Sequence, residues 1–140
     1  VNVGVYGTLA PVGLLDQLST QRGLQEQNFT VVGYGYQAVV PNPNEVQADL
    51  VRYRATTKLI GVKGTAGIPE GVAALFTNNP GQAHRGGTCS GDSGGPVFHG
   101  DSNVIAAVTS FGLNPNCVGN GGGYRIDTPD DQAFILQFLG

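Results

Sequence analysis

Ser93 stands in the string Gly87-Thr88-Cys89-Ser90-Gly91-Asp92-Ser93-Gly94-Gly95-Pro96-Val97-Phe98, among four glycines, an aspartate and a proline. Glycine is placed where the backbone must adopt positive φ or come close to another group, so a serine framed this way is presented for chemistry. The simplest chemistry is nucleophilic attack by the hydroxyl, with neighbouring backbone N–H groups converging on an oxyanion. A serine hydroxyl is a weak nucleophile at neutral pH and needs a base within hydrogen-bond reach. The only imidazoles are His84 and His99, nine residues before and six residues after the serine. Both read as loop or turn residues flanking the string and not as that base. A glycine-rich surface turn is the bland reading of the same residues, and the length of the whole string argues against it.

Gly91-Asp92-Ser93-Gly94-Gly95-Pro96 resembles the active-site serine motif of the trypsin/chymotrypsin-like serine endopeptidases. The resemblance implies that Ser93 is the nucleophile and that the N–H groups of Gly91 and Ser93 form the oxyanion hole. It implies that Asp92 is the carboxylate that receives a processed N-terminal ammonium. Ser110-Phe111-Gly112 resembles the Ser-Trp-Gly segment whose backbone pairs with substrate like an added strand. Val32-Gly33-Tyr34-Gly35 resembles the Thr-Gly-Trp-Gly strand, and Tyr124-Arg125-Ile126 the last strand of the fold. Gly87, six residues before the serine, corresponds to the floor of the primary substrate pocket, with Gly112 and Gly122 at its walls. A floor without charge implies a large apolar or aromatic residue on the acyl side of the cut.

In that family the chain order is His, Asp, Ser, with the Asp roughly ninety residues before the Ser. Ser93 has 92 residues ahead of it, and no Asp occurs before Asp16, which sits in a helix-like Leu-Leu-Asp-Gln-Leu pattern. The expectation is therefore a C-terminal part of such an enzyme, inert by itself, whose partners are a polypeptide substrate and a missing N-terminal barrel. The absence of Met and the start at Val1 fit a processed piece or a fragment. Two rival readings stand beside this one. Gly91-Asp92-Ser93-Gly94-Gly95 also fits the Gly-x-Ser-x-Gly elbow of α/β-hydrolases, but that fold needs a His after the serine and acid, and none follows His99. The other is a non-catalytic, protease-like binding domain.

The chain has 140 residues, of which only 12% are charged, with 23 glycines and a net charge of −3. About 25% charged is usual, and this composition suits short strands joined by tight turns. The mild charge and scattered basic residues suggest neither nucleic-acid nor membrane partners. Cys89 and Cys117, the only cysteines, read as one disulfide and hence as a secreted protein. Too few further ligands accompany them for a metal site, and no cofactor is expected.

The elements that must position Ser93 read as strands. Phe29 to Tyr36 is rich in β-branched and aromatic residues, and Val46 to Thr56, Lys58 to Gly64, Gly71 to Asn78, Val97-Phe98, Val104 to Thr109 and Tyr124 to Ile126 follow. Arg52 and Arg54 point the same way at period two; an anion or substrate contact is one reading, and a solvated strand face is the one favoured. Asn28-Phe29-Thr30 fits the N-glycosylation pattern and reads as accidental. Leu14, Leu15 and Leu18 are spaced like one face of a short helix. Thr128 as N-cap, Pro129 at N1 and Asp130-Asp131 start a second helix running to about Leu139, with Phe134, Ile135, Phe138 and Leu139 as its apolar side. The fold class is all-β: the C-terminal β-barrel of the two-barrel chymotrypsin-like fold, with a short C-terminal helix. Residues 1–27 form a connecting arm, 28–127 the barrel and 128–140 the helix.

Overall fold

The computed structural model describes residues 4–20, 28–38, 46–65, 67–79 and 86–139. His84, Arg85 and the Pro41–Asn44 loop lie outside them. The chain runs β1 (Thr8–Leu9), α1 (Leu14–Thr20), β2 (Asn28–Gly33), β3 (Gln37–Ala38), β4 (Val46–Gln47), β5 (Tyr53–Gly61), β6 (Ala73–Thr77), β7 (Pro96–His99), β8 (Val104–Gly112), β9 (Asn120–Arg125) and α2 (Pro129–Leu136). The main sheet has the order β1-β8-β7-β2-β5-β6-β9, and β8 also pairs with β9. Six antiparallel strands, β2 and β5 to β9, thus close into a barrel, and β1 adds to β8 in parallel. Closure removes the free edges that an open sheet would leave for aggregation.

Alternation along β2 and β5 shows why these residues form a barrel wall. Phe29 pairs with Thr57 and Val31 with Ala55, placing one set inward, while Thr30, Val32, Arg54 and Thr56 take the other face. The interior is filled by Phe29, Val31, Phe76, Val97, Ala74, Ala106 and Ala107, with Phe29 and Phe76 meeting edge-on at 5.2 Å between ring centroids. Fully burying one such side chain contributes about 1.5–3 kcal/mol. Ala106 and Ala107 are both fully buried in β8.

Two expectations change. The strand read at 46–56 divides: Val46–Gln47 is β4, paired with β3, and its end joins the strand read at 58–64 in β5, Tyr53–Gly61, which runs unbroken through Thr57 and Lys58. Its β-branched Thr56-Thr57 pair continues the ladder where the sequence offered a polar-looking gap. Second, α2 starts as read, with Thr128 in extended conformation accepting from the Asp131 N–H and Pro129 in the first turn. Its apolar residues do not pack on the barrel: Phe134, Leu136, Phe138 and Leu139 are all exposed and no residue of α2 is buried. Phe134 and Phe138, one helical turn apart, touch each other instead. The Asn28 glycosylation pattern lies inside β2, with Asn28 Oδ1 buried and Phe29 and Thr30 in the wall.

The arm before the barrel is anchored by a buried ion cluster. Leu15 is fully buried, and its N–H donates to Asp127 Oδ2 at 2.8 Å. Arg125 donates from Nε to Asp127 Oδ1 and, through both terminal nitrogens, to Asp16. These residues lie more than a hundred positions apart in the chain, so α1 is fastened to the end of β9 by charge-assisted bonds.

Candidate active site

Ser93 lies in the turn between Cys89 and β7, and it is exposed. The N–H groups around it divide cleanly. Asp92 donates to Cys89 O, Gly94 to Thr109 O and Gly95 to Asp92 O. The N–H groups of Gly91 and Ser93 donate to no protein group among the described residues. Gly91 and Ser93 are both exposed, so these two donors lie at the surface beside the serine hydroxyl. Gly91 has a φ of +98°, a region that costs a side-chain-bearing residue strain, and a Cβ there would press on Gly35 Cα at 3.0 Å.

Asp92 turns away from the serine. Its carboxylate accepts from Gly35 N at 2.8 Å and from Cys89 N at 2.9 Å. A Cβ at Gly33 or Gly35 would fall within 2.6 Å of that carboxylate, so the glycines of Val32-Gly33-Tyr34-Gly35 make its seat. No cation pairs with Asp92 among the described residues.

A cleft of about 430 Å³ opens beside Ser93, between Thr88–Ser90 on one side and Thr109–Pro115 on the other. Cys89 and Cys117 are joined by a disulfide with a Cα–Cα distance of 5.2 Å, which ties the two sides together. Ser110 is the extra residue of a bulge, because Thr109 pairs with Gly123 and Phe111 with Gly122. The bulge leaves Ser110 exposed at the cleft, a common use of bulges beside reactive centres. Phe111 lies across Gly122, where a Cβ would come within 2.0 Å of its ring. Gly112 pairs with Gly121 at the outer end of the same ladder.

Gly87 has its side-chain space filled from elsewhere. A Cβ there would stand 1.7 Å from Asn78 Oδ1. Asn78 is buried; it donates to Thr88 O and Cys117 O and accepts from Thr88 N. A neutral amide, bonded to both sides of the cleft, thus stands where residue 87 would project. Gly121 faces the same amide and Thr88 Oγ1. Asn78 and Gly121 escaped the sequence reading, because only the fold brings them behind Gly87. Opening the disulfide releases a loop of 28 residues, worth about 3.5 kcal/mol in the chain-entropy model. Urea unfolding of the full-length protein with and without reductant is expected to show a loss of about that size. An unchanged midpoint after verified reduction would refute it.

A second cleft, of about 610 Å³, lies on the opposite side of Ser93 and is lined by Val32, Tyr34, Pro96 and Phe98 with Arg52 and Arg54. Ser93 is the one residue that lines both. His99 is in neither; its ring packs on Phe29 at the far end of β7. Among the described residues no group of three or more His, Cys, Asp or Glu side chains is placed to hold a metal.

A closed antiparallel barrel with a Gly-Asp-Ser-Gly-Gly turn at its mouth, Ser93 exposed between two free N–H groups, defines the class of trypsin-like protease domains. The Trypsin family model matches residues 6–130, and the chain belongs to the trypsin family. A mutant of human heparin binding protein has the same fold, with a TM-score of 0.54 at 21% identity. The match covers 95% of this chain and 52% of that one, so the chain spans about half the length of its structural relative. No curated protein matches the sequence.

Proposed function

We propose that the chain is the C-terminal half of a secreted serine endopeptidase that cleaves polypeptides through an acyl-enzyme on Ser93. The observation that carries this reading is the selective freedom of the Gly91 and Ser93 N–H groups, while every other N–H from Asp92 to Gly95 is engaged. Two surface N–H groups beside an exposed hydroxyl can both donate to a substrate carbonyl oxygen as it gains charge. The general base and its orienting carboxylate come from upstream sequence, in a second barrel that covers the exposed apolar face of α2. Asp92, seated by two backbone donors, takes a processed N-terminal ammonium and so holds the oxyanion turn in shape. The acyl half of the substrate pairs with Ser110–Gly112, and its side chain enters the cleft beside Ser93, between Thr88–Ser90 and Thr109–Pro115; Gly122 lies buried under the Phe111 ring and does not open onto it.

No charged side chain lines that cleft, so large apolar or aromatic residues are expected on the acyl side. Profiling the full-length protein on a peptide library tests both statements. Cleavage abolished by Ser93→Ala and dominated by Phe, Tyr or Leu at that position is the expected result. A profile dominated by Arg and Lys would overturn the specificity, and Ser93-independent cleavage would overturn the mechanism. The second reading, a protease-like binding domain, predicts no turnover of any peptide by the full-length protein.

A further inference from the structure

We propose that Asn78 is a positioning residue for cleavage at Ser93. Its side-chain amide fixes the spacing of the two walls between which the acyl-side residue lies, and so sets which side chains fit. The inference rests on the reading of Ser93 as nucleophile and of the cleft beside it as the acyl-side pocket. It adds the residue that holds that pocket in shape.

Asn78 follows directly on β6, and the sheet fixes its place. Thr77 pairs with Asn120 of β9, and the Thr77 carbonyl accepts from Thr57 Oγ1 at 2.6 Å. The Asn78 N–H donates to Gly119 O at 2.7 Å. From this base the side chain reaches both walls. Nδ2 donates to Thr88 O at 3.0 Å and to Cys117 O at 3.2 Å, and Oδ1 accepts from Thr88 N at 3.3 Å. Thr88 and Cys117 both line the cleft beside Ser93. Both amide donors and the acceptor are thus engaged with main-chain groups, and Asn78 is buried. Moving either wall would leave a buried polar group without its partner, which is costly.

The surrounding residues make room for this amide. A Cβ at Gly87 would stand 1.7 Å from Asn78 Oδ1, and one at Gly121 would stand 3.1 Å from it. Cys117 has a φ of +59°, uncommon for a residue with a side chain, and its carbonyl is the one that accepts from Asn78. The Cys89–Cys117 disulfide joins the same walls, but through side-chain bonds that can rotate. The amide acts on main-chain atoms of both. A displacement of about 1 Å at a reacting site can cost on the order of 10²-fold in rate, so the tie on the main chain decides the fit.

The test compares the full-length protein with three variants on peptides that carry either the best-cleaved acyl-side residue or Gly at that position. Asn78→Ala removes the amide. Asn78→Asp keeps its size and an acceptor but has no donor for the two carbonyls. Gly87→Ala keeps Asn78 and evicts its amide with the new Cβ. Well below the melting temperature, the ratio of kcat/KM between the two peptides is expected to fall about tenfold or more in each variant that folds. A variant with a lower melting temperature and an unchanged ratio would overturn the proposal, because Asn78 would then serve stability alone. Failure of all three to fold would also overturn it, since the amide would then hold the barrel and not the cleft. If the parent protein cleaves no peptide, the nucleophile reading fails, and amide hydrogen exchange judges the tie by itself. Faster exchange of the Thr88 N–H in Asn78→Ala, with the β5 and β6 amides unchanged, supports it. Equal exchange at Thr88 refutes it.

Discussion

A fluorophosphonate probe is expected to label Ser93 stoichiometrically in a longer chain that supplies a His and an Asp upstream, as the proposed function requires, and to leave the 140-residue chain essentially unlabelled. The proposed oxyanion donors, the N–H groups of Gly91 and Ser93, belong to this chain, but phosphonylation needs the serine proton removed. No imidazole lines either cleft at Ser93 among the described residues, and His99 is stacked on Phe29. Removing a base or nucleophile from such a site lowers turnover by roughly 10⁴- to 10⁶-fold. The measurement is labelled fraction by intact mass over time, with Ser93→Ala in both chain lengths as the control. Rapid labelling of the short chain, abolished by His84→Ala or His99→Ala, would place the base inside these residues and overturn the assignment to the upstream half.

The serine was legible in the sequence because its constraints are local. Gly91, Asp92 and Gly94 must be those residues for reasons that lie within a few positions or one neighbouring strand, and a short string records them. The disulfide was legible because there were two cysteines to join. The barrel strands were legible where β-branched and aromatic residues alternate, as in Asn28–Gly33, and not where a ladder continues through Thr56-Thr57-Lys58. What escaped was anything assembled by closure. Asn78 fills the space at Gly87 only after β6 and the serine loop are brought together, and no spacing announces it. The amphipathic look of the last helix was misleading for a physical reason: of its apolar side only Ile135 is half-buried, and Phe134, Phe138 and Leu139 are exposed among the described residues.

Breaking the Arg125–Asp127 pair will unfold the domain most readily of any single polar change, because both partners are buried. Asp127 is fully inaccessible and the Arg125 side chain is 3% exposed, whereas the Asp16 side chain is 60% exposed. Asp127→Ala leaves a buried guanidinium and the Leu15 N–H without their carboxylate, a loss of about 3–5 kcal/mol. Asp16→Asn removes an exposed partner and is expected to cost no more than about 1 kcal/mol. Burial alone would lower the Arg125 pKa, but its bonds to Asp16 and Asp127 outweigh that and raise it, so the guanidinium stays charged at every working pH. The Arg125 hydrogen bonds in turn hold the Asp16 carboxyl below the usual carboxylate range, outweighing the small desolvation. A carboxyl depressed on folding stabilises the fold above its unfolded value of about 3.9, and the contribution is lost as pH falls through the lower folded value. Urea midpoints of the full-length protein should therefore separate the variants. Asp127→Ala drops steeply at pH 7, and Asp16→Asn drops slightly at pH 7 and not at all near pH 2. Replacing both Arg125 and Asp127 with leucine should recover part of the loss, since no charge is then left buried alone. Equal effects of Asp16→Asn and Asp127→Ala at pH 7 would show that the cluster is a surface feature and that α1 is held by Leu15 packing alone.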